Sequence, residues 1–213
     1  MQLPDLKRFS LRTMFVLTTL VCVVVGMWSV YVNPFRRQLQ SLAAVDRLQG
    51  NSAKMAAAGP TWQKWLVTTF LGDDAYVYVT EVDLANQKVS DADLRSLTGL
   101  THLEKLSLDY TQITDDGAVA LRSMPALKNL SMRYTGISDR SAEYLAALPA
   151  LTNVYLTGTK LTDAAIENLG KERAAKELYI RWTKISDEGA TRLAAALPNC
   201  AVYHHALTTE PTK

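Results

Sequence analysis

The sequence predicts an α/β solenoid preceded by a transmembrane helix, with a parallel sheet on the concave side and short helices on the convex side. Three observations lead there. Shifting the chain by 24 residues lays 79–102, 103–126, 127–150 and 151–174 over one another, and 175–199 follows one residue longer. Each unit opens on alternating apolar residues and continues with a hydroxyl residue followed by Asp, the pattern of a strand and then a helix start. Such units bury their apolar faces only against their neighbours, so five in register specify a stacked array. Ahead of them, residues 13–35 carry no charge.

The apolar run comes first. Met14 to Val32 reads "MFVLTTLVCVVVGMWSVYV". At about 1.5 Å per residue it reaches roughly 28 Å, close to the thickness of bilayer hydrocarbon. Thr18, Thr19 and Ser29 can satisfy their hydroxyls on the preceding turn. Trp28 and Tyr31 fall where an interfacial aromatic belt is expected, and Asn33-Pro34 is expected to end the helix. We assign 1–12 as a short basic arm and 13–33 as the transmembrane helix. A cleaved signal peptide is the rival reading, but the run is longer than a signal core and no small-x-small site follows it directly. Lys7, Arg8 and Arg12 precede the span while Arg36, Arg37 and Arg47 follow it, so charge nearly ties on orientation. A short arm with a large C-terminal domain favours an extracytoplasmic repeat domain.

Residues 34–75 are expected to hold a helix from Arg36 to Gln49, stopped by Gly50, and a loop with weak strand character over 51–60. A second helix follows, with Trp62, Trp65, Leu66, Thr69 and Phe70 on one stripe. We expect this Trp-bearing helix to cap the first repeat, because exposed repeat ends need covering.

The repeat domain spans 76–205. Leu103, Leu106 and Leu108 alternate as a short strand, with Leu127, Leu130 and Met132 stacked beside them. Thr111, Thr135, Thr159 and Thr183 recur in register, and each hydroxyl is expected to bond the neighbouring turn. Gln87 takes that place in the first unit. Ile113, Ile137, Leu161 and Ile185 point inward. The hydroxyls of Ser90, Thr114, Ser138, Thr162 and Ser186 each precede an Asp, as a helix N-cap with a carboxylate at the positive end of the dipole. Asp116 has no counterpart in register, so the paired carboxylates of "TDD" mark a cap and not a catalytic site. Helices then run to Leu121, Leu145, Leu169 and Leu193, and Pro125, Pro149 and Pro198 help end them. In 170–175, Arg173 replaces Pro and Ala175 replaces Leu, so a looser turn is expected. "CAVYHH" reads as a final edge strand and 206–213 as a disordered tail.

These units resemble the leucine-rich repeat family, in the form L-x-x-L-x-L-x-x-T-x-[ILV]-[ST]-D, over about 79–205. The wider layout is similar to membrane-anchored bacterial leucine-rich repeat proteins: "RFSLRTMFVL", one span, a helix ending "LQG" and a Trp-bearing helix ending "LGDD" precede the repeats.

Composition narrows the function. Residues 1–75 hold eight Lys/Arg against four Asp/Glu, and 76–213 fifteen against seventeen. A nearly neutral repeat region argues against nucleic acid, which needs a basic face. Cys22 and Cys200 imply no disulfide framework. No Ser-His-Asp order, phosphate loop or metal-ligand spacing appears, and no cofactor or small-molecule substrate is inferred. His204 and His205 are adjacent in a strand, so they should point to opposite faces and not share an ion. His102 is expected to be solvated. The remaining candidates are Tyr110, Arg133, Tyr134, Tyr155, Tyr179, Arg181 and Trp182 on or just past the concave strands, since aromatics with Arg compose binding hot spots. Tyr155 should lie beside Tyr179, Arg133 beside Asp109, and Gly158 should leave a gap beside Trp182. Strand packing alone also explains aromatics here. The expected function is a membrane-anchored interaction module, not an enzyme, whose partner is a protein or envelope polymer. The alternatives are a cytoplasm-facing adaptor like the ligase-substrate receptors with similar repeats, and an enzyme acting on an envelope polymer.

Overall fold

The computed structural model describes residues 11–57, 60–72, 75–171, 174–205 and 208–209. Most of the basic arm, Arg173 and all of 206–213 except 208–209 therefore lie outside the described residues. The chain divides into two compact units, Met1–Arg36 with Ala58–Tyr76, and Arg37–Ala57 with Val77–Lys213.

In the first unit, helix α1 (Leu11–Met27) is followed by a π-helical turn (Trp28–Val32) and helix α2 (Asn33–Arg47), which continues into the second unit. Apolar side chains of α1 face outward, with Phe15 65% and Val23 60% exposed. Thr18 and Thr19 return their hydroxyls to carbonyls one turn back, at 2.9 Å. Asn33-Pro34 does not end the helix as expected. The Asn33 N–H reaches back to the Trp28 carbonyl, and this wider turn accommodates the donor and the space that proline removes. Helix α3 (Thr61–Leu71) sets Phe70 edge-on to Trp28 and Trp62 edge-on to Tyr31, with ring centroids 5.1 and 4.8 Å apart.

The second unit is built on an eight-stranded sheet among the described residues, ordered β1 to β8 along the chain. Strands β2 (Val77–Asp83), β3 (Lys105–Ser107), β4 (Asn129–Ser131), β5 (Asn153–Tyr155), β6 (Glu177–Tyr179) and β7 (Ala201–Tyr203) are parallel, each offset 24 residues from the last. Their inward residues Val82, Leu106, Leu130, Val154, Leu178 and Val202 are at most 2% exposed. The convex side carries α4 (Asp91–Ser96), α5 (Asp115–Ala118), α6 (Asp139–Leu145), α7 (Ile166–Leu169) and α8 (Asp187–Ala196), with 3-10 turns beside α5 and α7. Leu121, Leu145, Leu169 and Leu193 are fully buried beneath them. In the turn expected to be looser and exposed, Lys171 is exposed and Ala175 is buried. Ala175 lies on the core side of the chain just before β6.

Four further expectations are corrected. Residues 51–56 form strand β1 (Asn51–Ala56), paired antiparallel with β2, where a loop with only weak strand character was expected. Within the second unit, β1 and the inner half of α2 lie against the first repeat. Leu42 and Val45 join the repeat core. The Gln38 amide donates to the Val77 carbonyl and accepts the Val79 N–H, satisfying the edge of β2. The helix stop is Gln49 (φ 57), whose N–H donates to Asp46 O while Gly50 N–H donates to Val45 O. Gly50 is required by space, because a Cβ there would lie 2.4 Å from Leu84 Cδ2. At the far end, β7 is not an edge, since β8 (Thr208–Thr209) pairs antiparallel with it in the region expected to be disordered. An edge strand's unpaired N–H and C=O groups are a template for any returning segment.

The fourth correction concerns the recurring Asp. Asp91, Asp115, Asp139 and Asp163 each accept the N–H of the next repeat's Thr114, Ser138, Thr162 or Ser186 at 2.7–2.8 Å. The hydroxyl of the same residue donates to the other carboxylate oxygen at 2.5–2.7 Å. Capping holds as expected at four of the five hydroxyls, and Ser90 forms a capping box with Asp93. Thr114, Thr162 and Ser186 accept helix N–H groups at 3.4, 3.2 and 3.0 Å, and the Ser138 side chain caps none. The carboxylates thus form a ladder that clasps each repeat to its successor.

Candidate binding face

Every repeat leaves its strand through one residue with a left-handed backbone: Asn86 (φ 61), Tyr110 (φ 57), Tyr134 (φ 53), Gly158 (φ 73) and Trp182 (φ 54). The turn's geometry explains why. The N–H groups of Asn86, Tyr110, Tyr134 and Gly158 donate to Asp109, Arg133, Thr157 and Arg181 carbonyls at 2.8–2.9 Å, which extends the parallel ladder past the strands. The Thr that follows closes its own turn, and not the neighbouring one as expected. Thr111, Thr135, Thr159 and Thr183 donate to the carbonyl three residues back at 2.6–2.8 Å. Asn and Gly enter this conformation readily, whereas other residues pay about 1–2 kcal/mol.

Three aromatics nonetheless hold it, and they lie in a row. Tyr110 and Tyr134 stack with centroids 4.7 Å apart, and Tyr134 lies 6.2 Å from Trp182. Gly158 makes this possible, because a Cβ there would meet Tyr134 Cδ1 at 2.4 Å. The gap expected beside Trp182 is therefore filled by the ring of Tyr134. The row is 57%, 38% and 66% exposed at Tyr110, Tyr134 and Trp182, which is too open for core packing.

A second row stands on the strands. Tyr155 and Tyr179 stack at 4.6 Å, side by side as their register requires, and Tyr179 stacks on Tyr203 at 4.2 Å. Sequence reasoning missed Tyr203, although it lies 24 residues past Tyr179, because the last segment was read as a terminal edge. The Arg133 guanidinium lies 4.5 Å over the Tyr155 ring. Its Nε is 4.0 Å from Asp109 Oδ2, the margin of an ion pair, while Asp109 Oδ1 accepts the Arg133 N–H at 2.8 Å and the Ser131 hydroxyl. Arg181, at the equivalent position two repeats on, is exposed. Burial, then Glu177 and Tyr203, push the Tyr179 phenol up to about 12, and burial followed by Glu177 raises Tyr155. Both stay neutral hydrogen-bonding groups at ordinary pH.

Beside these rows the sheet is hollowed. Ser52, Ala53, Ser107 and Ser131 are small, so a trough of about 440 Å³ opens over the first strands, with Tyr155 as its far wall. Glu81 and Lys105 pair at 2.6 Å along its side. The face thus offers a shallow polar trough running into aromatics flanked by Arg, an arrangement for recognition by shape and hydrogen bonding.

The histidines depart from expectation. His204 and His205 lie beyond the end of β7, where strand alternation no longer holds, and their rings are 3.8 Å apart. His102, expected to be solvated, is exposed but stacks on Tyr78 at 3.8 Å, and burial lowers its pKa.

A leucine-rich repeat profile matches residues 99–121 and 176–194. The structure is similar to internalin C2 from Listeria monocytogenes, at 27% identity and TM-score 0.51, over 65% of this chain and 55% of that one. The chain thus spans about half the length of that relative. It is also similar in fold to the leucine-rich repeat ectodomain of the receptor kinase SOBIR1 from Arabidopsis thaliana, at 14% identity and TM-score 0.51, over 79% of this chain and 91% of that one. No curated protein matches.

Proposed function

This chain is a leucine-rich repeat protein, and from that premise we propose that its concave face captures a partner while α1 holds it in a membrane, repeat domain outside. One observation carries the reading: three exposed aromatics occupy a backbone position that Asn86 and Gly158 fill without strain. Strain retained at an exposed row is a reason to look for a ligand there. The partner is a protein, met by Tyr110, Tyr134 and Trp182 with Arg133, Tyr155, Tyr179 and Arg181 beside them. An envelope polymer is the other occupant the trough suits. The chain is a binding module and not an enzyme, a reading supported by the engagement of the recurring carboxylates Asp91, Asp115, Asp139 and Asp163 with the next repeat. Membrane attachment is supported by the outward apolar side chains of α1, by its self-satisfied threonines, and by Trp65 and Phe70 of α3, which stay 66% and 59% exposed.

The test is a photocrosslinking residue placed at Arg181 in living cells. A discrete protein adduct is expected, and Tyr110→Asn with Trp182→Asn should abolish it while the purified variant melts no lower than the parent. An adduct that survives this double change would remove the aromatic row from the function. A glycan adduct in its place would assign the face to the envelope polymer. Protease accessibility of a tag after Lys213 in intact cells separates the extracytoplasmic arrangement from a cytoplasm-facing adaptor.

A further inference from the structure

Asp187 holds the ladder position of the last repeat, but its carboxylate faces two imidazoles in place of a Ser or Thr. Its Oδ1 lies 3.5 Å from His204 Nδ1 and 3.6 Å from His205 Nε2, and each of the three residues offers a ligand atom within 4.8 Å of the other two. These separations are long for hydrogen bonds between N and O, which centre near 2.9 Å. They are close to the edge of a tetrahedron around an ion with bonds of about 2.0–2.1 Å, which is roughly 3.3–3.4 Å.

The surroundings orient the His204 ring. A carbonyl can only accept, so the 3.0 Å contact between His204 Nε2 and Ile185 O makes Nε2 the donor. In the neutral ring the lone pair is then on Nδ1, the atom turned toward Asp187. A carbonyl bonded to the far nitrogen of an imidazole is the usual support of a metal-ligating histidine. The His204 side chain is wholly buried and so fixed in place, while Asp187 and His205 are 69% and 51% exposed and leave the site open to solvent. Asp187 is itself anchored in the first turn of α8, where Ser186 Oγ accepts the Gly189 N–H at 3.0 Å.

We propose that Asp187, His204 and His205 bind a divalent cation of the zinc class, which ties the exit of β7 to the start of α8. Two imidazoles and one carboxylate suit zinc and its first-row neighbours better than calcium or magnesium, which prefer all-oxygen shells. Three protein ligands leave a fourth position for water or a side chain supplied from outside. Bound there, the ion closes the end of the carboxylate ladder as a hydroxyl residue closes each earlier rung.

The full chain in detergent, carrying no polyhistidine tag, is titrated with Co2+ as a spectroscopic probe and then with Zn2+ as competitor. One saturable equivalent is expected, with visible bands of tetrahedral or five-coordinate cobalt, displaced by zinc. X-ray absorption of the zinc form should show nitrogen and oxygen neighbours only. Asp187→Asn and His205→Ala should each weaken binding at least tenfold, while His102→Gln leaves it unchanged. Zinc should raise the melting temperature of the parent and not of either variant. Absence of a saturable equivalent in the parent overturns the proposal whatever the variants do. So does a sulfur neighbour, which would point to Cys200 or Cys22, or affinity unchanged in both ligand variants. If no ion binds and Asp187→Asn still lowers the melt, the histidines are a plain hydrogen-bonded end to the ladder.

Discussion

The Asp115 carboxylate takes the N–H and hydroxyl of Ser138 and also the hydroxyl of Ser141, three donors from the following repeat. Replacing Asp115 by Ala strands them in a half-buried site and should cost about 1–3 kcal/mol in urea denaturation. Asp116→Ala, which loses only an exposed pair with Arg140 at 3.3 Å, should stay within about 0.5 kcal/mol. Equal losses would dissolve the distinction between the two carboxylates. The same bonds set an acid limit. Burial alone would raise the Asp115 pKa, but the hydrogen bonds from Ser138 and Ser141 outweigh it and hold it below the ordinary 3.8. Ser186 holds Asp163 below that value as well. Both groups are therefore lowered on folding, so their stabilisation is present above about pH 4 and is lost as pH falls through their folded-state values. Thermal melts should decline below pH 4, and less steeply in Asp115→Ala. The recurrence of Asp was legible in the sequence, but its partner was not. A hydroxyl followed by Asp satisfies the local capping rule and the 23-residue clasp equally well, and only packing decides which bond forms.

At the scale of the element, the repeating turn is the informative unit. Gly158→Ala combines a side chain at φ 73 with a Cβ 2.4 Å from Tyr134 Cδ1. It should cost about 1–2 kcal/mol and displace the Tyr134 ring, changing the near-ultraviolet dichroism. Unchanged spectra and an unchanged melt would mean that the row tolerates a filled position, contrary to the stacking seen. The strands and helices of the repeats were readable because their apolar spacing repeats five times. Strand β1 was legible only as weak strand character, because "NSAKMA" has no large alternating side chains. It pairs because the open edge of β2 demands partners, a requirement imposed by tertiary structure. The left-handed position was hidden for a related reason. Tyr and Trp favour strands by their chemistry, and only Asn86 and Gly158 in the same register betray the conformation.

For the whole molecule, the apolar helix was legible as a membrane candidate from length and composition, and one helix, Met14–Arg47, meets that description in the structure among the described residues. We expect it to keep the protein in membranes after alkaline carbonate washing, with Met1 to Arg12 still attached. Recovery of a soluble form beginning after Val32 would instead mean that the segment is a cleaved signal. The continuation past Pro34 could not be read locally, since it depends on the π-helical turn before it. The candidate face was half legible. The register placed Tyr155 against Tyr179, but the stacking of Arg133 on Tyr155 depends on Asp109 already being engaged by backbone and serine.

The left-handed row also makes the protein's history of selection measurable. In a mutant library sorted only for survival of heat, positions 110, 134 and 182 should drift toward Asn and Gly, while 86 and 158 hold. Sorting the same library for partner capture should reverse that drift. A lineage that abandoned its partner would thus be expected to shed its aromatics while the solenoid, relieved of them, grew more robust.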